Sequence, residues 1–316
     1  MNCPDCNNEA RRFGKDRKGF QRFQCLTCKK TFGEPREKPL GDMILSEEKA
    51  LSVLHHLVEG CSIRTTERIT GVEKKTILSL LSVVGEKCER LLDEKIQNIS
   101  VKEVQCDEVW AFVSMKEKTK KRQGRDSETD LGDAYCFVAI ERHTKLILAW
   151  HLGRRTVVDT VAFTEKLARA TADYSFQVNT DGFAPYRDAM VYSLGSKHID
   201  FAQIVKVFGQ SEDGERRYSP SEVIGMEKTA VFGNPDLDTA TTSHVERQNL
   251  TIRMAMRRLT RLTNAFSKKW ENLRMAYALH FAYYNFCRIH SSIKVMPAME
   301  SGITDHVWEL RELLTA

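Results

Sequence analysis

The spacing of apolar positions changes character along the chain, and each change marks a different kind of segment. Residues 1 to 32 hold few aliphatic side chains, and only "QRFQC" and "KKTF" read as short strands. Phe13, Phe20, Phe23 and Phe32 are the side chains available to cover this segment. Turn-formers at Glu34-Pro35 and Lys38-Pro39-Leu40-Gly41 predict a linker. Helical periodicity then begins, with Ser46 as N-cap, a stripe of Leu51, Leu54, His55 and Val58, and a stop at Gly60. The stretch "CSIRTTERITGVEKKTILSLLSVVGEKCERLL" reads as a short helix, a turn at Thr70-Gly71-Val72 and a longer helix from about Glu73. Ile63, Ile69, Val72, Ile77 and Leu80 or Leu81 would close a helix-turn-helix core.

From residue 100 the period is that of strands. "VKEVQCDEVWAFVSM", "AYCFVAIER", "KLILAWHLG" and "YSFQVNT" are four runs rich in β-formers. Between the last two, "VDTVAFTEKLARAT" has a helical stripe of Val158, Val161, Ala162, Leu167 and Ala168. Three strands, a helix and a fourth strand is the order of a ribonuclease H-like fold. A lysine-rich tract at 116 to 132 should stand out as an exposed hairpin arm, and 209 to 240, rich in Gly, Ser, Asp and Pro, reads as an insertion. Two helices follow, at about 242 to 263 and 267 to 288, the second with Trp270, Leu273, Tyr277, Phe281 and Tyr284 at helical spacing.

Composition narrows the class. Apolar residues make up 41% and charged residues 29%, as in a soluble globular protein, and no run approaches the roughly 20 apolar residues of a membrane span. The start Met1-Asn2-Cys3-Pro4 lacks a secretory pattern, so the expected location is the cytoplasm, on the nucleoid. The net charge of +5 is concentrated. Residues 1 to 38 hold ten Lys and Arg against five acids, residues 116 to 125 six against one, and residues 247 to 274 eight against one. Separate basic tracts suit an extended polyanion such as double-stranded DNA, although each alone is also what a solvated face looks like. The start of the second helix of the helix-turn-helix, with Lys74, Lys75 and Thr76, would then enter the major groove; the alternative is a plain helical linker.

Nine cysteines include one regular set, Cys3-x2-Cys6 and Cys25-x2-Cys28 separated by eighteen residues. Two such knuckles complete the tetrahedral shell of a structural Zn²⁺, and metal binding would supply much of the folding free energy of so small a segment. A zinc ribbon follows, touching either DNA or protein. A redox pair would sit in a strand-helix context that is absent here. Cys61, Cys88, Cys106, Cys136 and Cys287 occur singly and read as small buried hydrophobes.

The chemistry-bearing residues are acids in apolar surroundings. Asp107 interrupts "VQCDEVWAFV", and a carboxylate buried there needs a cation. Asp181 ends the fourth strand in "VNTDGFAPY", beside a flexible Gly182. If the first and fourth strands are neighbours, these acids come side by side, and Glu246 near the start of "TSHVERQNLTIRMAMRRL" can bring a third. Hard divalent cations choose such oxygens, and a pair of Mg²⁺ or Mn²⁺ ions serves phosphodiester transfer. Asn249 and Arg253 share the helix face of Glu246, with Arg257 and Arg261 continuing it, while Ile252, Met256 and Leu259 pack opposite. Asn249, Arg253, Arg257 and Arg261 would therefore face DNA.

At these residues the chain resembles the DDE transposases of bacterial insertion sequences, most closely the insertion-sequence-one family. The motifs are "CPDC" with "CLTC", the helix-turn-helix, "CDEVWAFV", "NTDGFAPY", "HVERQNLTIRMAMRRLTRLTNAFSKKWENL" and the tail "YYNFCRIHSSIKVMPAM", spread over nearly the whole chain. The resemblance implies that Asp107, Asp181 and Glu246 are the catalytic, metal-binding acids. It implies that Arg253 is the family's basic residue seven positions beyond the glutamate, and that the reaction is nicking at element ends followed by attack of the freed 3′-hydroxyl on target DNA. The sixty-four residues between Asp181 and Glu246 exceed the family's short spacing, which keeps Glu222, Asp236 and Asp238 as alternatives for the third acid.

The expected architecture is α/β: a zinc ribbon over 1–38, a helix-turn-helix domain over 42–97, a ribonuclease H-like mixed sheet flanked by helices over 100–295, and a helical tail over 296–316. The expected function is that of a transposase acting on element ends and target as a homo-oligomer, a dimer, away from any membrane. A DNA-binding regulator derived from a transposase, and a purely hydrolytic nuclease, are the competing readings.

Overall fold

A computed structural model describes residues 1–316 apart from Lys18, 34–38, Asp42, 196–198, 210–222 and 261–262. The chain divides into two compact units, Met1–Asp42 and Met43–Leu314. The first is a three-stranded antiparallel sheet of β1 (Ala10–Lys15), β2 (Gln21–Cys25) and β3 (Thr31–Gly33). Phe23 is buried and stacks with Phe32, but Phe13 and Phe20 are exposed, so only half of the expected aromatic cover is used. Phe13 is exposed because β1 buries Ala10 alone and turns its remaining side chains outward, and Phe20 lies in the connection just before β2.

The second unit opens with α1 (Glu47–Val58), α2 (Ile63–Thr70) and α3 (Lys74–Lys95). Ser46 caps α1, its side chain accepting from the Lys49 amide, and Ser62 caps α2 in the same way through Thr65. The turn between α2 and α3 rests on Gly71, whose φ of 68° is a left-handed conformation that disfavours any residue with a Cβ. Val72, Ile77, Leu80 and Leu81 are buried as expected, but Ile69 is exposed and Thr66 is the buried residue of α2. His55 is likewise exposed, and α1 packs through Ala50, Val53, Leu54 and Val58.

A mixed six-stranded sheet follows in the order β6-β5-β4-β7-β8-β9. Its members are β4 (Glu103–Val113), β5 (Gly132–Glu141), β6 (Ile147–Gly153), β7 (Gln177–Thr180), β8 (Asp200–Phe208) and β9 (Val223–Phe232). β4, β5 and β6 pair antiparallel, β4-β7 and β7-β8 pair parallel, and β8-β9 closes the edge antiparallel. The last pair adds two strands, β8 just before 209–240, where an insertion was expected, and β9 within it. The tract after β4 is not a hairpin arm: it contains α4 (Glu117–Arg122), and Lys120 on that helix is buried.

Helices flank the sheet. On one face α5 (Val157–Ala170) and α6 (Pro185–Leu194) bring Phe163 and Tyr186 against Phe137 of β5. The stripe of α5 is Thr160, Phe163, Thr164, Leu167 and Ala170, whereas Val158 is exposed. α7 (Ser243–Ala255) packs on β4, where the amides of His244 and Val245 donate to the buried Gln105 Oε1. α7 stops at Ala255, well short of residue 263, and a 3-10 turn at Arg257–Leu259 follows. α8 (Trp270–Phe286) sets Tyr277 and Phe281 against Trp150 of β6. Its buried Asn285 exchanges two 3.0 Å hydrogen bonds with the backbone of Ile147 on the edge strand, satisfying groups that burial would otherwise strand. α3 lies along α8, and Gly85 permits it: a Cβ there would meet Met275 Cβ at 2.6 Å. α9 (Pro297–Glu300) and α10 (Leu310–Thr315) end the chain. Among the described residues, no helix is long and apolar enough to cross a membrane.

Candidate functional site

Among the described residues, two groups of side chains can hold a metal ion: Cys3, Cys6, Cys25 and Cys28, and Asp107, Glu108 and Asp181, each with its ligand atoms within 4.8 Å of one another. The thiols come from two equivalent knuckles, each followed at once by a residue of positive φ, Asn7 at 57° and Lys29 at 62°. Sulfur separations are 3.6 Å for Cys3–Cys28, 3.4 Å for Cys6–Cys25 and 3.6 Å for Cys6–Cys28. Four thiolates placed tetrahedrally about 2.3 Å from one ion would stand roughly 3.8 Å apart, so the set fits a zinc-sized ion. The Cys28 amide donates to Cys25 Sγ at 3.4 Å. Burial pushes the Cys25 thiol up, but hydrogen bonds from the Cys28 and Thr27 amides together with those from the Cys6 and Cys28 thiols outweigh it and bring its pKa down to about 6. A thiolate at that position is what a metal ligand requires.

The carboxylate group arises from strand register. β4 and β7 run in parallel from Glu103 beside Gln177 to Cys106 beside Thr180, where β7 ends. Asp107 and Asp181 are the next residues on each chain, so the end of β7 leaves a gap into which both side chains reach. Alternation along β4 would send Glu108 to the opposite face. Past Thr180 β4 keeps β5 as a neighbour but no longer has β7 beside it, and the longer Glu108 side chain comes within reach of the same point. Strand reasoning therefore missed Glu108, although the Asp107-Glu108 pair was visible in the sequence.

Local partners fix the geometry. Asn249 Nδ2 donates to Asp107 Oδ2 at 2.7 Å, the Glu108 amide to Asp107 Oδ1 at 2.8 Å, and the Phe183 amide to Asp181 Oδ1 at 2.9 Å. Arg155 lies 3.3 Å from Glu108 and 3.8 Å from Asp181, with its guanidinium over the Phe183 ring. Burial pushes the Asp107 carboxyl up to about 7, with Asp181 and Glu246 adding repulsion. Burial and then Asp181 bring Glu108 to about 7 as well. Asn249 Oδ1 is buried without a hydrogen-bond partner, an acceptor beside Asp107 that a cation or its bound water would satisfy.

Glu246 stands beside this group rather than in it. It is close enough to raise the Asp107 pKa, but its carboxylate is paired with Lys206 Nζ from β8 and accepts from Thr242 Oγ1 at 2.7 Å. Four carboxylates thus share two paired cations, Arg155 and Lys206, which leaves two negative charges for a divalent ion when all are ionised. Neither cation was legible in advance: Arg155 precedes the α5 N-cap, and Lys206 lies on a strand that was not anticipated.

The other expected site residues scatter. Arg253 ties α7 to its surroundings, donating to the Trp110 and Leu259 carbonyls at 3.2 and 3.4 Å. Arg257 is exposed but sits in the 3-10 turn, so it does not continue the α7 stripe, and Arg261 lies outside the described residues. Lys74 and Lys75 are exposed at the start of α3, with Thr76 half-buried. Asp236 accepts from Asp238 and Thr239 of its own turn and Asp238 is exposed; Glu222 lies outside the described residues.

No protein-family model matches the chain, and neither does any curated protein. Among solved structures it is similar to an endonuclease V from Bacillus subtilis, at 15% identity and a TM-score of 0.22, covering 65% of this chain and 90% of that one. A superposition that loose transfers neither fold nor activity.

Proposed function

We propose that the chain is a DNA transposase with a ribonuclease H-like catalytic domain, which cuts at element ends and joins them to target DNA by phosphodiester transesterification. The observation that carries this reading is the convergence of Asp107, Glu108 and Asp181 at the end of β7, with Glu246 beside them. Asp107 and Asp181, completed by Glu246 or Glu108, would hold Mg²⁺ or Mn²⁺. Such ions, when bound, activate the attacking oxygen and neutralise the leaving one. Asn249 orients the Asp107 carboxylate, and Arg155, half-exposed at the rim, is placed to meet a phosphate of the strand being cut. Lys206 holds Glu246 while no phosphate or ion competes for it.

Recognition of DNA falls to Lys74, Lys75 and Thr76 in a major groove and to Arg257 on the backbone, with Asn249 and Arg253 supporting the site from α7. The four thiols would hold Zn²⁺ and give Met1–Asp42 its structure. Handling two element ends together calls for a dimer.

Glu108 in the position expected of Glu246 favours one other reading, a nuclease that only hydrolyses. Incubating the full chain with Mn²⁺ and a duplex carrying the flanking ends, one 3′-hydroxyl labelled, separates the two. Joined strands are expected; cleavage without joining would sink the transposase. Asp107→Asn should abolish cleavage and joining by at least about a thousandfold while end binding persists, and equal loss of binding would remove the assignment.

A further inference from the structure

One basic feature outside the carboxylates lines a partly open cavity. This cavity of about 630 Å³ lies where the α1-α2 corner, the start of α3, residues 256–258 and 263–268, and α8 meet, and the carboxylates take no part in it. Arg64, Lys74, Arg257, Arg258 and Lys268 line it, and among its described lining residues there is no Asp or Glu. In a chain whose 48 cations are nearly matched by 43 acids, five cations around one cavity without an acid are a local departure. Such a group repels itself unless an anion enters.

Two side chains with buried, unpartnered nitrogens point to a ligand more specific than bulk counter-ions. Arg258 spends Nη1 on Ser267 Oγ at 3.0 Å, while its Nη2 is buried with no hydrogen-bond partner. Burial pulls its pKa down to about 10, which still leaves it charged at neutral pH. His280 is 3% exposed, and neither ring nitrogen has a hydrogen-bond partner. Burial holds its pKa near 3, so the ring is neutral and offers one donor and one acceptor. Buried polar atoms are nearly always satisfied, and here both orphans belong to residues lining the same space. The remaining walls mix the apolar side chains of Leu57, Leu78 and Leu279 with the amides of Asn264 and Asn272. The volume falls in the range of about 300–1,000 Å³ that encloses small organic ligands.

We infer that this cavity binds a single nucleotide, its phosphate held by Arg258 with the surrounding cations and its base set among the leucines with His280 and an Asn amide on its edge. A bare phosphate would leave the apolar walls and His280 without partners, and an apolar ligand would leave the five cations unanswered. The nucleotide can be free, or it can be an unstacked member of a DNA strand bound across α3. This inference concerns a site separate from the carboxylates and does not require them to be catalytic, although it shares Lys74 and Arg257 with the DNA-contacting surface proposed above.

The test uses the full chain carrying Asp107→Asn, so that failure of the metal-site reading leaves the result interpretable. One arm photolabels it with 8-azido-2′-deoxyadenosine monophosphate; the other uses a duplex with a single unpaired 8-azidoadenine. Mass spectrometry then locates the labelled peptides. Saturable labelling within residues 57–81 or 256–280, reduced at least tenfold by Arg258→Gln, is expected. Ala276→Phe fills the cavity without removing a charge and should reduce labelling as much, which covers the case in which Arg258→Gln fails to fold. Labelling in the first arm identifies a free nucleotide as ligand, and labelling in the second alone identifies a strand. Labelling elsewhere in both arms, or labelling that survives Ala276→Phe in protein of unchanged circular dichroism, overturns the inference.

Discussion

The thiols of Met1–Asp42 and the carboxylates of Met43–Leu314 can both hold metal ions, but the chain assembles them differently. Each thiol pair sits on one tight turn, and among the described residues its unit buries only Cys3, Ala10, Phe23, Cys25 and Leu40 as apolar residues. Without an ion, little in that unit offsets the conformational entropy of ordering its strands. The carboxylates instead hang from β4, β7 and α7, on a sheet whose core is packed by Phe137, Phe163, Tyr277 and Phe281. There the sheet exists first and the acids are forced together by it, at the expense of raised pKa values. The lesson is that a metal can be the cause of one fold and the tenant of another within a single chain.

The sharpest way to break this contrast is Cys25→Ser, or a strong chelator. Structural zinc in small domains contributes on the order of 10 kcal/mol, more than a unit of this size can replace. Met1–Asp42 should become fully open to proteases and to amide exchange, while the protection of β4, β5 and α8 stays unchanged. Loss of protection in both regions, or in neither, would show that the thiol cluster does not organise its own unit alone.

What could be read in advance follows the same division. The cysteine spacing, the Ser46 cap and the Gly71 turn are local signals and needed no knowledge of distant partners. Asp107 beside Asp181 was readable because strand order determines it. β8 and β9 were not anticipated: β9 falls inside 209–240, whose composition suggested an insertion, and carries a mostly exposed face with little alternation, and β8 lies just before it. Lys206 went with them. Glu108 was hidden because alternation assigns it to the other face of β4, yet beyond the end of β7 its longer side chain still reaches the carboxylate cluster. The stop of α7 at Ala255 has no Gly or Pro to announce it, and nothing in the sequence marks Arg258 as a buried cation.

A smaller effect separates the regions by pH. Asp107 and Glu108 have ordinary values of 3.8 and 4.5 and stand at about 7 in the folded protein. The folded state therefore holds these protons more tightly than the unfolded one. Stability from this source is full below the ordinary values and is lost as pH rises through 7, at up to about 1.4 kcal/mol per pH unit for each group. Denaturant titrations of metal-free Met43–Leu314 in the full chain should show stability falling between pH 5 and pH 8. Saturating Mn²⁺ should flatten that slope, because the bound cation favours the ionised carboxylates. A slope of the opposite sign would mean that these acids are already compensated and need no ion.

The least of the expected effects tests whether Glu246 belongs with the carboxylates or with Lys206. The pair is half-exposed, so its strength is that of a surface ion pair, at most about 1 kcal/mol or a factor of five. If Glu246 swings to a bound ion, that pairing opposes metal binding, and Lys206→Met should tighten Mn²⁺ binding about two- to fivefold by calorimetry. Glu246→Gln should then cost more affinity in the Lys206→Met background than alone, a coupling that a double-mutant cycle reads directly. Were Glu246 a mere surface partner of β8, the two substitutions would add without coupling and Mn²⁺ affinity would follow Glu108→Gln alone. In that event the ion would rest on Asp107, Glu108 and Asp181, all on strands β4 and β7 or one residue beyond, and α7 would supply only Asn249 to the site.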